Sequence, residues 1–213
     1  MMADILDVIT SRTSIRYYTD KPVPDEMIDK MIEAGRRAPS GENEQPWRLI
    51  IVRDKEMIKN ISDWCKVGTG QRFTAEHCLG QDTRIDTDER KKELYTGEVS
   101  NIPVRAPLVI VVIGEIKGMM DTPYDLSACI ENMLLEAHSL GLGAVWIHGP
   151  AVYPRIVRKL KEMLSIPTGM ADYKMLAVVP VGWPLRQRRY PRPRKESLEF
   201  VYWGRFGNKE RNR

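Results

Sequence analysis

The chain reads as an α+β fold. Four short runs are dominated by aliphatic and β-branched residues: Leu49 to Val52, Leu108 to Ile113, Ala144 to Ile147 and Met175 to Val181. Between them lie stretches with apolar residues at helical spacing, and proline or glycine marks most junctions. With 213 residues, 42% of them hydrophobic, and no internal repeat, residues 1-213 are expected to form a single domain.

Ile5, Leu6, Val8 and Ile9 predict a short helix from Ala3 to Ser11. Next come Arg12-Thr13-Ser14-Ile15-Arg16 and an extended aromatic piece, Tyr17-Tyr18. Two guanidinium groups and two hydroxyls within five residues can cradle a phosphate; the same arginines can equally answer the negative end of the helix. After a turn at Thr19-Asp20-Lys21-Pro22-Val23, Pro24 is expected at the first position of a second helix, with Asp25 and Glu26 at its positive end. Met27, Ile28, Met31, Ile32 and Gly35 give this helix one apolar face, and the small Ala34-Gly35 pair lets another backbone approach.

Ala38-Pro39-Ser40-Gly41-Glu42-Asn43-Glu44-Gln45-Pro46-Trp47 then joins helix to strand. Two prolines bracket small and amide residues, a composition suited to holding a ligand's polar edge and also to merely reversing the chain. Beyond the first strand, Asp54 caps a helix carrying Met57, Ile58, Ile61 and Trp64. From Lys66 to Val104 the pattern turns polar, with Gly68-Thr69-Gly70 at its start, dense charge from Asp82 to Glu98 and a short helix expected at Lys91 to Tyr95. Residues 66-104 are therefore expected to form a lid or excursion. The Gly-x-Gly does not carry a strand into a helix, so it is no dinucleotide fingerprint.

Leu108 to Ile113 reads as a buried central strand. The strongest helix runs from Tyr124 to Leu140, with an apolar side broad enough for burial on more than one face; Cys129 belongs to that core, and His138 has no triad partner. Gly141-Leu142-Gly143 closes it, and the following strand ends at His148-Gly149-Pro150, where backbone N–H groups can face a flat ligand. A helix from Val152 to Leu164 and a last strand closed by Gly182-Trp183-Pro184 complete the domain. Residues 185-213 form an extension whose rings, Phe200, Tyr202, Trp203 and Phe206, need a surface to pack on, their own body or a neighbouring subunit.

The net charge of +4 is local: Arg186 to Lys195 carries six positive charges and no acid, and the rest of the chain is slightly acidic. That favours one anion site over a nucleic-acid surface. No apolar run could span a bilayer, and the acidic start is unlike a secretory signal. Three cysteines without repeated spacing argue against a disulfide framework or a zinc site, and His77 beside Cys78 has no second cluster to complete a metal site, so a reducing cytoplasm is expected.

Together these pieces resemble the nitroreductase family of FMN-dependent homodimeric oxidoreductases. The matching motifs are Arg12 to Arg16, Pro22-Val23-Pro24, Ala38-Pro39-Ser40-x-x-Asn43-x-Gln45-Pro46-Trp47, Ala106-Pro107, Gly141-Leu142-Gly143-Ala144-x-Trp146-Ile147, Pro180-Val181-Gly182-x-Pro184 and Arg192-Pro193-Arg194-Lys195, in the family's order over nearly the whole chain. The resemblance implies three layers, a central mixed but mainly antiparallel sheet flanked by helices, and an interlocked dimer whose C-terminal extensions pack on the partner. It implies that Arg12, Thr13, Ser14, Arg16 and one of Arg192 and Arg194 hold the flavin phosphate. Pro39, Ser40, Asn43 and Gln45 would reach the flavin across the dimer. Trp146, Ile147, His148 and Gly149 would lie against its ring, with backbone near Gly149 at N5. No acid–base residue and no metal is required, because the flavin carries the redox chemistry.

The implied function is hydride transfer from NADH or NADPH through FMN to an electron-poor acceptor: a nitroaromatic, a quinone or an activated alkene. The Ala-Pro-Ser-Gly and Val-Gly-Trp-Pro forms resemble the iodotyrosine deiodinase branch, but Ser100 stands where that branch has a lid lysine, and Thr13 replaces the family's usual second arginine. Other readings are a flavin-consuming branch, a flavin carrier without turnover, and an anionic-surface binder acting through Arg186 to Lys195.

Overall fold

A computed structural model of the protein describes residues 4–78, 101–116, 122–168, 173–186 and 193–210. Helices α1 (Ile5–Ser11), α2 (Asp25–Arg36), α3 (Lys55–Cys78), α4 (Thr122–Ser139), α5 (Pro154–Met163) and α6 (Ser197–Phe200) accompany strands β1 (Trp47–Val52), β2 (Leu108–Glu115), β3 (Gly143–Ala144) and β4 (Tyr173–Gly182). The sheet order is β1-β2-β4-β3. Every pairing between these strands is antiparallel: Trp47 faces Gly114, Leu108 faces Val181 and Gly143 faces Gly182. The expected mixture of strand directions is therefore absent among the described residues.

The two-sided burial of β2 explains its unbroken apolar sequence. Leu108, Ile110 and Val112 point into a core shared with α2 and α4, where Met31, Leu126, Ile130 and Met133 lie fully or almost fully buried. Val109, Val111 and Ile113 point the other way, onto Ile58, Ile61, Ile156 and Leu160 of α3 and α5. Helices thus cover both faces, giving the three layers expected. Side chains alternate across the pleat, so one strand serves both cores.

Local chemistry sets the element ends. Asp54 Oδ1 accepts the Met57 N–H at 2.7 Å, the cap anticipated for α3. Pro24 sits one residue earlier than expected, as the N-cap of α2, because its extended ψ of 146° stands outside the helix. Gly141, at φ +77°, ends α4: Leu142 N–H reaches Ala137 O and Gly141 N–H reaches His138 O. The third predicted strand is shorter than expected, Gly143–Ala144 followed by a single bridge from Ile147 to Val178.

The largest correction concerns α3. The polar change after Lys66 does not end the helix, which runs through Gly68-Thr69-Gly70 to Cys78. A Cβ on Gly68 would lie 3.0 Å from Gly149 O. Gly68 thus serves a close approach of the helix to the Gly149 backbone. The rest of the expected lid, including Ser100 and Lys91 to Tyr95, lies largely outside the described residues.

Gly35 closes the α2–α4 contact: a Cβ there would sit 2.8 Å from Met133 Cγ and 3.0 Å from Cys129 Sγ. Methionine can yield to one methyl but not to a branched side chain. Gly35→Val is expected to cost about 1–3 kcal/mol and to lower the thermal midpoint by roughly 3–10 °C, with Gly35→Ala well short of that. Scanning calorimetry of the two variants checks the order.

Candidate functional site

Residues 12 to 18 dock along the β3–β4 edge. Ile15 N–H donates to Ala144 O at 3.0 Å, Thr19 N–H to Trp183 O and Leu185 N–H to Tyr17 O. Tyr18 fastens the segment from within: its hydroxyl lies 2.6 Å from Ile15 O and 3.2 Å from Pro180 O. Burial pushes that phenol far up, and Arg16 draws it only partly back. Gly143 is what permits the approach, since a Cβ there would fall 2.6 Å from Ile15 Cβ.

Arg12, mostly covered, lies 3.5 Å from Glu131 of α4. Beside it Ser11 Oγ meets His138 Nε2 at 2.8 Å; burial, then the charge of Arg12, holds this imidazole below its ordinary pKa. His138 thus ties the end of α4 to the end of α1. Arg16 reaches Ser14 O at 3.3 Å. The hydroxyls of Thr13 and Ser14 have no protein partner among the described residues. Two guanidinium groups and two uncommitted hydroxyls suit the oxygens of a phosphate monoester.

From this corner the same edge leads to Trp146, Ile147, His148 and Gly149. Ile147 exchanges both backbone hydrogen bonds with Val178. His148 Nδ1 lies 2.8 Å from Leu176 O, a carbonyl that can only accept, so Nδ1 is the donor of this bond. The indole Nε1 of Trp146 is buried without a hydrogen-bond partner among the described residues, a state that costs free energy unless something else accepts from it. A Cβ on Gly149 would lie 2.8 Å from Thr69 Oγ1, so only glycine keeps this strand end against α3. Gly68 and Thr69, which the sequence pattern assigns to the polar excursion, are thus neighbours of this strand end.

Pro39 to Gln45 forms the second cluster. Ser40 is extended, and its Oγ accepts the Gln45 N–H at 3.1 Å, while Gln45 Nε2 donates to Asn43 O. Glu42, Asn43 and Gln45 all have positive φ, 49°, 58° and 48°. Three left-handed non-glycine residues within four positions are costly and persist only where the surroundings hold them. Part of that hold comes from a residue the sequence did not single out: Asp125, buried in the first turn of α4, accepts the Gly41 N–H at 3.1 Å.

Within one chain the two clusters are remote. Pro46 O accepts from Glu115 N–H at the last residue of β2, whereas Gly143 lies across β4 from the beginning of β2. Three strand spacings across and six residues along give a diagonal of ~24 Å. Helix α4 gives a similar answer: its Asp125 end touches Gly41 and its His138 end touches Ser11, ~20 Å apart along the axis. Of the two tail arginines, Arg192 lies outside the described residues and Arg194 is exposed.

No group of three or more metal-binding side chains converges among the described residues, and no described helix is long and apolar enough to cross a membrane. Cys65 and Cys129 are buried core thiols; burial pushes Cys129 up to about 12, far from a reactive thiolate.

The nitroreductase family model matches residues 9–183. An Archaeoglobus fulgidus protein with the provisional name NADH dehydrogenase/NAD(P)H nitroreductase is 34% identical, the match covering 89% of this chain and 90% of that one. The Bacillus subtilis FMN reductase [NAD(P)H] is 29% identical over 92% of this chain and 73% of its own length. Rat iodotyrosine deiodinase 1 is 25% identical over 93% and 68%. Among solved structures, a Parabacteroides distasonis protein of the same provisional name as the archaeal one superposes with a TM-score of 0.70 at 29% identity, covering 94% of this chain and 98% of that one.

Proposed function

The chain belongs to the nitroreductase family, and we propose that it is an FMN-dependent NAD(P)H oxidoreductase that reduces an electron-poor acceptor, a nitroaromatic, quinone or activated alkene. When bound, FMN supplies the redox chemistry, taking a hydride from the nicotinamide and passing it to the acceptor. The protein's part is to bind, orient and exclude. Arg12, Thr13, Ser14 and Arg16 hold the phosphate, with Arg192 or Arg194 added. The Trp146–Gly149 strand end lies along the ring, and the Gly149 backbone offers a donor at its edge. Pro39, Ser40, Asn43 and Gln45 reach the ring from a second copy of the chain.

One observation carries this reading: the Thr13 and Ser14 hydroxyls, uncommitted among the described residues, and the orphaned indole N–H of Trp146 line one continuous edge. The separation of the Ser40 loop from that edge supports a dimer, because one mononucleotide cannot touch both in a single chain. So does the surface. The apolar residues of α1, Ile5, Leu6 and Ile9, face solvent in the lone chain, as do Leu198, Phe200 and Phe206 of the extension. The extension is tied internally, with Lys209 reaching Leu198 O and Tyr202 stacked near Phe206 at 4.4 Å, so its outward rings remain available to a partner. A cytoplasmic location fits the buried free thiols.

Purified protein is expected to be yellow and to release FMN on denaturation. Anaerobic NADH or NADPH should bleach the flavin band, and a quinone or nitroaromatic should restore it. A band untouched by either nucleotide would refute the donor half of the proposal. The similarity to iodotyrosine deiodinase 1 keeps a dehalogenating acceptor as a second reading, which halide release from an iodotyrosine under reducing conditions would establish.

A further inference from the structure

Where β1 ends and β2 begins, a cavity of about 470 Å³ opens between the Pro22–Val23 turn, the start of α3 and the residues leading into β2. It shares no residue with either flavin-facing cluster. Its lining has two chemistries. Val23 and Ile58, both buried, and the half-exposed Val104 give it an apolar lining. Arg53, Lys55, Lys59 and Arg105 give it four cations against one acid, Asp20.

The charges are not equally free. Arg53 is neutralised by Asp25 and also bonded to Val23 O, and Lys59 lies 3.4 Å from Asp63. Lys55 has no carboxylate partner among the described residues. Among the described residues, the Arg105 side chain makes only a ring contact, its guanidinium carbon 4.8 Å from the centre of Tyr17. Two uncompensated cations beside an apolar wall favour neither a simple salt ion, which gains nothing from the wall, nor a neutral hydrocarbon, which leaves the cations unanswered. The volume is in the range that takes a small organic molecule.

We propose that this cavity is a second ligand site, for a small organic anion: a compact apolar body carrying a carboxylate, sulfonate or phosphate that Lys55 and Arg105 engage while the body rests on Val23, Ile58 and Val104. The site is independent of the flavin reading, and it stands or falls without it.

The test uses the FMN-saturated protein and 8-anilinonaphthalene-1-sulfonate, followed by its fluorescence. Saturable binding at one site per chain is expected, weakened by raised salt. The neutral analogue N-phenyl-1-naphthylamine should bind at least about tenfold more weakly, and inorganic phosphate should compete poorly. The double variant Lys55→Glu/Arg105→Glu should raise the apparent Kd about tenfold or more, with FMN content and circular dichroism unchanged; Lys55→Arg/Arg105→Lys should keep most of the affinity. Equal binding of the neutral analogue, an affinity indifferent to the charge reversal, or no binding because a second copy or its extension fills the cavity would each overturn the proposal. Because the titration is done with FMN bound, dye entering an emptied flavin site cannot imitate the result.

Discussion

Replacing Arg12 and Arg16 together by alanine strips the protein of FMN. Charge-assisted hydrogen bonds contribute about 1.5–3 kcal/mol each, so two lost guanidinium groups remove about 3–6 kcal/mol of binding. The FMN Kd should therefore rise by roughly a hundredfold at least. Thr13 makes the effect larger than in a chain with a further arginine there, because a neutral hydroxyl cannot take over the charge. The fold should survive. Arg12 gives up a 3.5 Å contact to a half-exposed Glu131, an ion pair of little consequence, while the anchors of the segment are backbone bonds at Ile15 and the Tyr18 hydroxyl. Titration of apoprotein by flavin fluorescence quenching, with circular dichroism as the control, decides the matter. A double variant that still elutes yellow from gel filtration would place the phosphate elsewhere.

The same corner shows what a sequence can and cannot disclose. The expectation of an anion cradle at Arg12 to Arg16 rests on local chemistry, five consecutive residues with matching donors. The two-sided β2 was legible because burial on both faces leaves no polar residue from Leu108 to Ile113. Asp125 was not legible. An acid in the first turn of a helix ordinarily answers the helix dipole, and nothing in its neighbours announces a hydrogen bond to Gly41, 84 residues earlier. Helix α3 was cut short for a related reason. Gly68 and Gly70 weaken helix propensity, but Gly68 meets Gly149 O closely, and that tertiary contact outweighs the local preference. The left-handed stretch from Glu42 to Gln45 falls between the two cases: its composition predicted a turn, whereas its strain emerges only from the angles.

The second large effect concerns which chain supplies that strained loop. If it serves its own chain's flavin, it must cross ~24 Å of sheet; if it serves a partner's, it need only face outward across a two-fold interface. The two arrangements give opposite results in a mixed dimer. One chain carries Arg12→Ala/Arg16→Ala and the other Ser40→Ala/Asn43→Ala, and the two are co-expressed with different affinity tags and isolated as the heterodimer. Each homodimer should hold almost no FMN. With the loop acting across the interface, one site in the heterodimer combines the sound cradle of one chain with the sound loop of the other, and the second site collects both defects. Such a heterodimer should bind about one FMN per pair of chains, with close to half the turnover of the unaltered dimer. With the loop acting within its own chain, each site inherits one defect and the heterodimer stays colourless. The Asp125 tether makes the first outcome the physical expectation, since it fixes the loop at the end of α4 away from its own Arg12, and a loop so anchored cannot swing back along the helix without breaking the bond that holds its left-handed residues in place.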